Sequence, residues 1–225
     1  MIGTDRDAAF LRYAAQQAPH IRFMEADAAA LPFADGSFDV TVSNTVQEHV
    51  EPAAFFGEQH RVLRAGGVCL VLSARRGVSV EAECVSAQSP CEKAVWERAA
   101  AAAGKIREEY GVGRYAMSES ELPSAMERYG FRQVSTAYLA VNLTPDDPAN
   151  PRALAHAMIN AHRQTALDAV NALPRIAPGA ACGAELEEML RCVNSRYDRR
   201  IRLYDEGKKQ WDTAVTLTMV VRGVK

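Results

Sequence analysis

Residues 68–74, "VCLVLSA", open on five apolar side chains in a row, and no other feature constrains the fold as much. A strand with one wet face alternates apolar and polar residues, whereas one that is apolar throughout needs cover on both faces, as central strands of parallel sheets have. The residues just before it follow a different period. Phe55, Phe56, Gln59, Val62 and Leu63 keep helical spacing behind Pro52, a residue suited to a first helical turn, and Gly66-Gly67 is expected to end that helix. A helix leading into a doubly covered strand predicts an α/β fold.

The same alternation runs through the flanking sequence. "MIGTD" reads as the end of a strand, and Asp7 then precedes a helical pattern (Phe10, Leu11, Ala14, Ala15, Ala18) that stops at Pro19. "HIRFMEAD" reads as a short strand, Pro32 and Asp35-Gly36 as turn residues, and Phe38 to Ser43 as another strand. Downstream, the alanine-rich stretch from Glu92 to about Tyr110 predicts a helix that Gly104 breaks or bends. Ser118 and Glu121 have capping-box spacing ahead of a helix over 118–129. "FRQVSTAYLAVNL" predicts a long strand, "TPDDPANP" a boundary, and "TAVTLTMVVRGV" a last strand. Between them residues 151–209 read as helical. One stripe is Leu154, Met158, Ala161, Thr165 and Ala169; a second is Leu186, Met189, Leu190, Val193, Tyr197, Ile201 and Tyr204. Glu187/Arg191 and Asp198/Arg202 are spaced as i,i+4 pairs on a solvated side.

Composition narrows the function. The 225 residues are 48% apolar, enough for a sizeable core, and 26 basic against 28 acidic residues favour no polyanionic partner, so nucleic-acid binding is not expected. Apolar runs fall far short of the roughly 18 residues of a membrane helix, and the first residues lack a signal-peptide pattern. The expectation is a cytoplasmic protein with no membrane partner. The five cysteines show no CxxC or zinc spacing, which predicts free thiols and no metal site.

"IGTDRDAAFLRYAAQ", "IRFMEADAAALPFADGSFDVTVSNTVQEHV" and "HRVLRAGGVCLVLSA" together resemble successive segments of the class I S-adenosylmethionine-dependent methyltransferases of small-molecule type. The likeness is close over residues 1 to about 75, and "ELPSAMERYGFRQV" with the last strand is similar to the end of that family's sheet. The resemblance implies a Rossmann-like sheet, S-adenosyl-L-methionine as cofactor, a small-molecule acceptor and S-adenosylhomocysteine as product. It assigns Asp5, at a strand's carboxyl end, to the ribose hydroxyls, with Arg6 beside the adenosine. A carboxylate suits a vicinal diol, although Asp5 also suits a turn. Asp27 would accept from the adenine amino group and the Ala28 N–H would meet a ring nitrogen, with Leu31 and Phe33 closing over the base; an Asx turn is the plainer role for Asp27. Ser43 and Asn44 would rim the methionine end, and Thr45 to His49 would floor it. His49 is the candidate catalytic base, since imidazole can take an acceptor's proton; capping or lining the next helix is its plainer reading.

The sequence also departs from the family. The Gly-rich loop expected after a first strand is missing, and Gly111 and Gly113 stand in the wrong context. The loss of that strand would leave two unpaired edges in the sheet. An incomplete enzyme, a strand swapped in from another chain, and a non-catalytic methyltransferase-like binding or assembly protein all remain open, the first being preferred. Residues 1–145 plus 211–225 are expected to form the methyltransferase core. Residues 146–210 would be a helical insertion serving as acceptor lid or as the surface of a homodimer. Arg75, Arg76, Tyr110, Arg114 and Tyr115 are further candidates for acceptor recognition.

Overall fold

A computed structural model describes residues 1–82, 84–109 and 113–225, with side chains for all of these except 75–81 and 101–109. The elements are β1 (Ile2–Asp5), α1 (Ala8–Gln17), β2 (Arg22–Glu25), β3 (Phe38–Asn44), a 3-10 turn (Gln47–His49), α2 (Pro52–Val62), β4 (Leu63–Ala82), α3 (Pro90–Glu109), α4 (Glu121–Arg128), β5 (Arg132–Leu143), α5 (Arg152–Ile176), α6 (Gly183–Asp205) and β6 (Thr213–Val224). The α/β alternation expected from the sequence is present. β1 pairs in parallel with β2, Ile2 opposite Arg22 through Asp5 opposite Glu25, as a separate two-stranded sheet. A four-stranded sheet has the order β3-β4-β6-β5, and β3 runs parallel to β4, Val40 opposite Val68 through Asn44 opposite Leu72.

Helix α2 ends at Val62, earlier than the Gly66-Gly67 pair expected to stop it, and β4 begins at Leu63. The two glycines instead build an irregularity where the β3–β4 register shifts between Phe38 and Val40. Gly66 has φ +75°, and a Cβ on Gly67 would lie 2.8 Å from the Arg64 carbonyl oxygen, so the close approach excludes a side chain. Lys225 fastens this corner. Its backbone exchanges hydrogen bonds with Gly66 and Gly67 at 2.9 Å each, and its ammonium donates to the Leu63 carbonyl at 2.7 Å.

Two compact units divide the chain, each with its own core. The first comprises residues 1–75, 113–139 and 217–225. Its core is Phe55 and Phe56 of α2, Cys69 and Val71 of β4, Leu122 and Met126 of α4, and Met219 and Val221 of β6. Burial pushes the Cys69 thiol up to about 11, so it serves as a packing residue. By contrast α1 has no buried residue, and Phe10 and Tyr13 are exposed.

The second unit comprises residues 76–112 and 140–216. It is larger than the insertion expected at 146–210, because α3 packs with α5 and α6 through Val95, Ala99, Val170, Leu173, Met189 and Val193. Ion pairs Glu92–Arg196 and Arg98–Glu185 tie α3 to α6. The buried face of α5 is Ala155, Met158, Ile159, Val170 and Leu173; of the expected stripe only Met158 is on it, and Leu154, Ala161 and Thr165 are exposed. The anticipated i,i+4 partners also re-pair, Asp198 with Arg163 of α5 and Arg191 with Glu188. Among the described residues no helix is long and apolar enough to cross a membrane.

Candidate functional site

A cavity of about 470 Å³ within the first unit runs along β3 from Phe38 to Asn44, against α2, and reaches the carboxyl ends of β1, β2 and β3. Carboxyl ends of parallel strands are where open α/β sheets receive ligands, because the chain there turns away into loops and leaves backbone groups and short polar side chains exposed. Asp5, Arg6, Asp27, Ala28, Ser43, Asn44 and His49 all line this one cavity, together with Leu31 and Phe33. They come from three separate strand ends, so their meeting is a property of the fold rather than of sequence neighbourhood.

The two acids adopt the same local structure. Asp5 Oδ1 accepts the Asp7 N–H at 2.8 Å and Asp27 Oδ1 accepts the Ala29 N–H at 2.9 Å, each an Asx-type turn, while Asp7 caps α1 through Ala9 N at 2.6 Å. A carboxylate has about four acceptor positions, so one backbone bond orients each group and leaves capacity toward the cavity. Both acids are exposed. The turn role of Asp5 and of Asp27 is thus present and compatible with a ligand role.

The lip carrying Leu31 and Phe33 is held from α2. Glu58 Oε2 accepts the Leu31 N–H at 2.6 Å, and the Arg61 guanidinium donates to the Leu31 carbonyl at 2.9 Å, the Phe33 carbonyl at 2.7 Å and Asp35 at 2.8 Å. The hydrogen bond from Arg61, helped by that from Leu31, holds the Glu58 carboxyl below its usual range. Sequence reasoning missed both residues. Their only signal was an acid and a base one turn apart on a helix, which is also the signature of a solvated face.

At the end of β3, Ser43 is buried and its hydroxyl has no hydrogen-bond partner among the described residues. Thr45 follows at φ +53°, a left-handed conformation costly for a β-branched residue, held by its N–H to the Leu72 carbonyl at 2.9 Å. Gln47, fully buried, donates to the Tyr115 carbonyl at 2.9 Å, and the Tyr115 N–H donates to the Glu48 carbonyl at 3.1 Å. His49 is exposed at the rim, and its ring makes no hydrogen bond among the described residues.

Arg114 lies over the Tyr115 ring, and neither residue lines the cavity. Tyr110 and the side chains of Arg75 and Arg76 lie outside the described residues. Beside the cavity, β1 has β2 as its strand partner and β3 has β4; among the described residues no strand runs between β1 and β3, and Val40 and Val42 are exposed there. Among the described residues no glycine is in the cavity lining.

The cavity thus combines two carboxylates oriented by backbone, an apolar lip and a buried hydroxyl. Residues 1–71 match the methyltransferase domain family. A probable S-adenosylmethionine-dependent methyltransferase of Mycolicibacterium smegmatis is 39% identical over 77 residues, 34% of this chain and 30% of that protein. The demethylmenaquinone methyltransferase of Thermus thermophilus is 47% identical over 53 residues, 23% of this chain and 24% of that one. The chain therefore spans about a quarter to a third of the length of these curated relatives. Among solved structures, a putative methyltransferase of Bacillus halodurans aligns over 100% of this chain and 82% of its own, at 14% identity and TM-score 0.46.

The residues present fit S-adenosylmethionine. Two oriented carboxylates with spare acceptor positions suit the ribose diol and the adenine amino group, and Leu31 and Phe33 suit the base's faces. The buried, unpartnered Ser43 hydroxyl is a polar group that a ligand in this cavity would supply with a partner.

Proposed function

We propose that this protein transfers the methyl group of S-adenosylmethionine to a small-molecule acceptor, releasing S-adenosylhomocysteine. The observation that carries the reading is the convergence of Asp5, Arg6, Asp27, Ala28, Ser43, Asn44 and His49 on one cavity. When bound, the cofactor supplies a methyl group already activated by its sulfonium. Asp5 takes the ribose hydroxyls and Arg6 lies beside the adenosine. Asp27 and the Ala28 N–H read the adenine edge, under the lip fastened by Glu58 and Arg61. Ser43 and Asn44 hold the methionine end, so the protein's main work is alignment, which can supply much of the rate. His49, on the acceptor side, takes the proton released when a hydroxyl or amine is methylated.

A small-molecule acceptor is supported by the demethylmenaquinone methyltransferase named among the relatives and by the absence of a basic surplus in the composition. One observation favours a second reading, a methyltransferase-like binding protein without turnover: among the described residues no glycine lines the cavity to let backbone approach a ligand closely.

Hydrogen exchange with and without S-adenosylhomocysteine tests the assignment. Slowing is expected in segments 2–7, 26–33 and 43–50, and slowing elsewhere with none in these segments would overturn it. Binding there with no transfer to any acceptor would favour the second reading.

A further inference from the structure

We propose that a cavity in the second unit binds a small organic carboxylate with an apolar or aromatic body. That cavity, of about 480 Å³, lies among Trp96 of α3, His162 and Ala169 of α5, Arg196 of α6 and Asp212 just before β6, all residues of the second unit. Its size is that of a small-ligand site.

The polar groups left over in this unit are all donors. Among its described residues the buried side-chain nitrogens and oxygens without a hydrogen-bond partner are Arg163 Nε, Arg196 Nε and Arg200 Nη1. A buried donor with no acceptor is costly and calls for an explanation. Of the three, Arg196 lines the cavity. Its side chain is 11% exposed, and among the described residues it donates to Glu92 through Nη1 alone. That leaves the edge formed by Nε and Nη2, a fork whose two parallel N–H groups match a carboxylate. Arg200, one turn later on α6, shows what such an edge takes. Its Nε and Nη2 hold Asp212 at 2.9 and 2.6 Å, and Nη2 also reaches Asp146 at 2.8 Å. One guanidinium thus holds two carboxylates, and its neighbour holds one.

The acids on the cavity wall are already engaged. Glu92 is paired with Arg196 and Asp212 with Arg200, so a ligand carboxylate at Arg196 repeats the arrangement of two carboxylates on one guanidinium that Arg200 makes. Tyr197 stacks against the same guanidinium, its ring centre 5.3 Å from the central carbon, which steadies the plane of the fork. Trp96, Ala166, Ala169 and Val170 supply an apolar wall for the ligand's body. An ammonium ion would set a donor against a donor at Arg196 and is rejected.

Calorimetric titration of the wild-type chain with phenylacetate, phenylacetamide and phenethylammonium, which share a body and differ in the polar head, decides the matter. Phenylacetate should bind saturably, and the other two at least about tenfold more weakly, because hydrogen bonds to an ionised acceptor are about twice as strong as neutral ones. Arg196→Lys keeps a cation beside Glu92 but removes the fork, and should weaken phenylacetate about tenfold while the circular dichroism spectrum is unchanged. Ala169→Phe, which fills the cavity without touching the charges, should abolish binding. Equal or tighter binding of phenylacetamide or phenethylammonium, unchanged affinity in a folded Arg196→Lys or Ala169→Phe protein, or no saturable binding of phenylacetate up to about 10 mM would each overturn the proposal.

Discussion

Arg61 and Glu58, less than one helical turn apart on α2, are joined by two hydrogen bonds of 2.7 and 2.8 Å, and as a pair they hold the backbone of Leu31 and Phe33 at the mouth of the first cavity. A local helix contact thereby fixes a loop some 27 residues earlier in the chain. Glu58→Ala strands the Leu31 N–H and releases Arg61, and should cost about 1–2 kcal/mol of stability in urea unfolding. Arg61→Ala should loosen the same lip, seen as faster hydrogen exchange over 30–36. In both variants cofactor affinity should fall although neither residue lines the lip's ligand face.

Stability should fall with pH in two windows. Burial of His60 beside Phe131, and then the charge of Lys225, hold its imidazole below the ordinary value of 6.5. The folded state thus binds that proton less readily than the unfolded chain does. The contribution is complete above pH 6.5 and is lost as pH falls through the lower folded value. Glu58 behaves the same way below 4.5, because its carboxylate is held by Arg61 and Leu31. Urea midpoints measured across pH should decline in these two windows. His60→Gln should flatten the upper decline, and Glu58→Gln the lower.

His49→Ala should lower turnover about 100-fold with an acceptor hydroxyl or amine, the usual contribution of a positioned base, with little change in affinity for S-adenosylhomocysteine. Steady-state kinetics and a pH–rate profile check this. A loss below about threefold would assign the rate to alignment alone.

Arg200→Ala should destabilise the second unit by about 3–5 kcal/mol, because Asp146 and Asp212 would be left as buried acids without their counterion. Arg200→Met combined with Asp146→Asn and Asp212→Asn should recover much of that loss. Urea denaturation followed by the fluorescence of Trp96 and Trp211 reports it.

Much of the fold was legible because its signals are local. The doubly apolar "VCLVL" run, the Asp7 cap and the Ser118/Glu121 box each depend on a few adjacent residues, and Glu121 does accept the Ser118 N–H at 2.8 Å. The errors arose where distant partners decide. Gly66-Gly67 reads as a helix stop by itself, but packing of Lys225 and Asp39 against it makes it a strand irregularity. The stripe on α5 was misread because α3 and α6 select Ala155, Ile159 and Val170 as the covered face, a choice that spacing alone does not specify. Asp198 finds Arg163 on another helix rather than Arg202 on its own. The candidate residues at strand ends were named through the family resemblance, and the fold brings them to one cavity. Glu58, Arg61 and Gln47 were not, since their hydrogen bonds run to backbone 27 to 68 residues away.

The central claim is that the cavity joining Asp5, Asp27 and Ser43 holds the cofactor's adenosine and methionine ends. Calorimetric titration of the chain with S-adenosylhomocysteine tests it most directly, with Asp5→Ala and Asp27→Ala run beside the wild type. The account predicts wild-type binding with a Kd of about 1–100 μM and a weakening of about 10- to 100-fold in each variant, the range for hydrogen bonds to a charged group. No binding by the folded wild-type chain, or equal affinity in all three proteins, would contradict it.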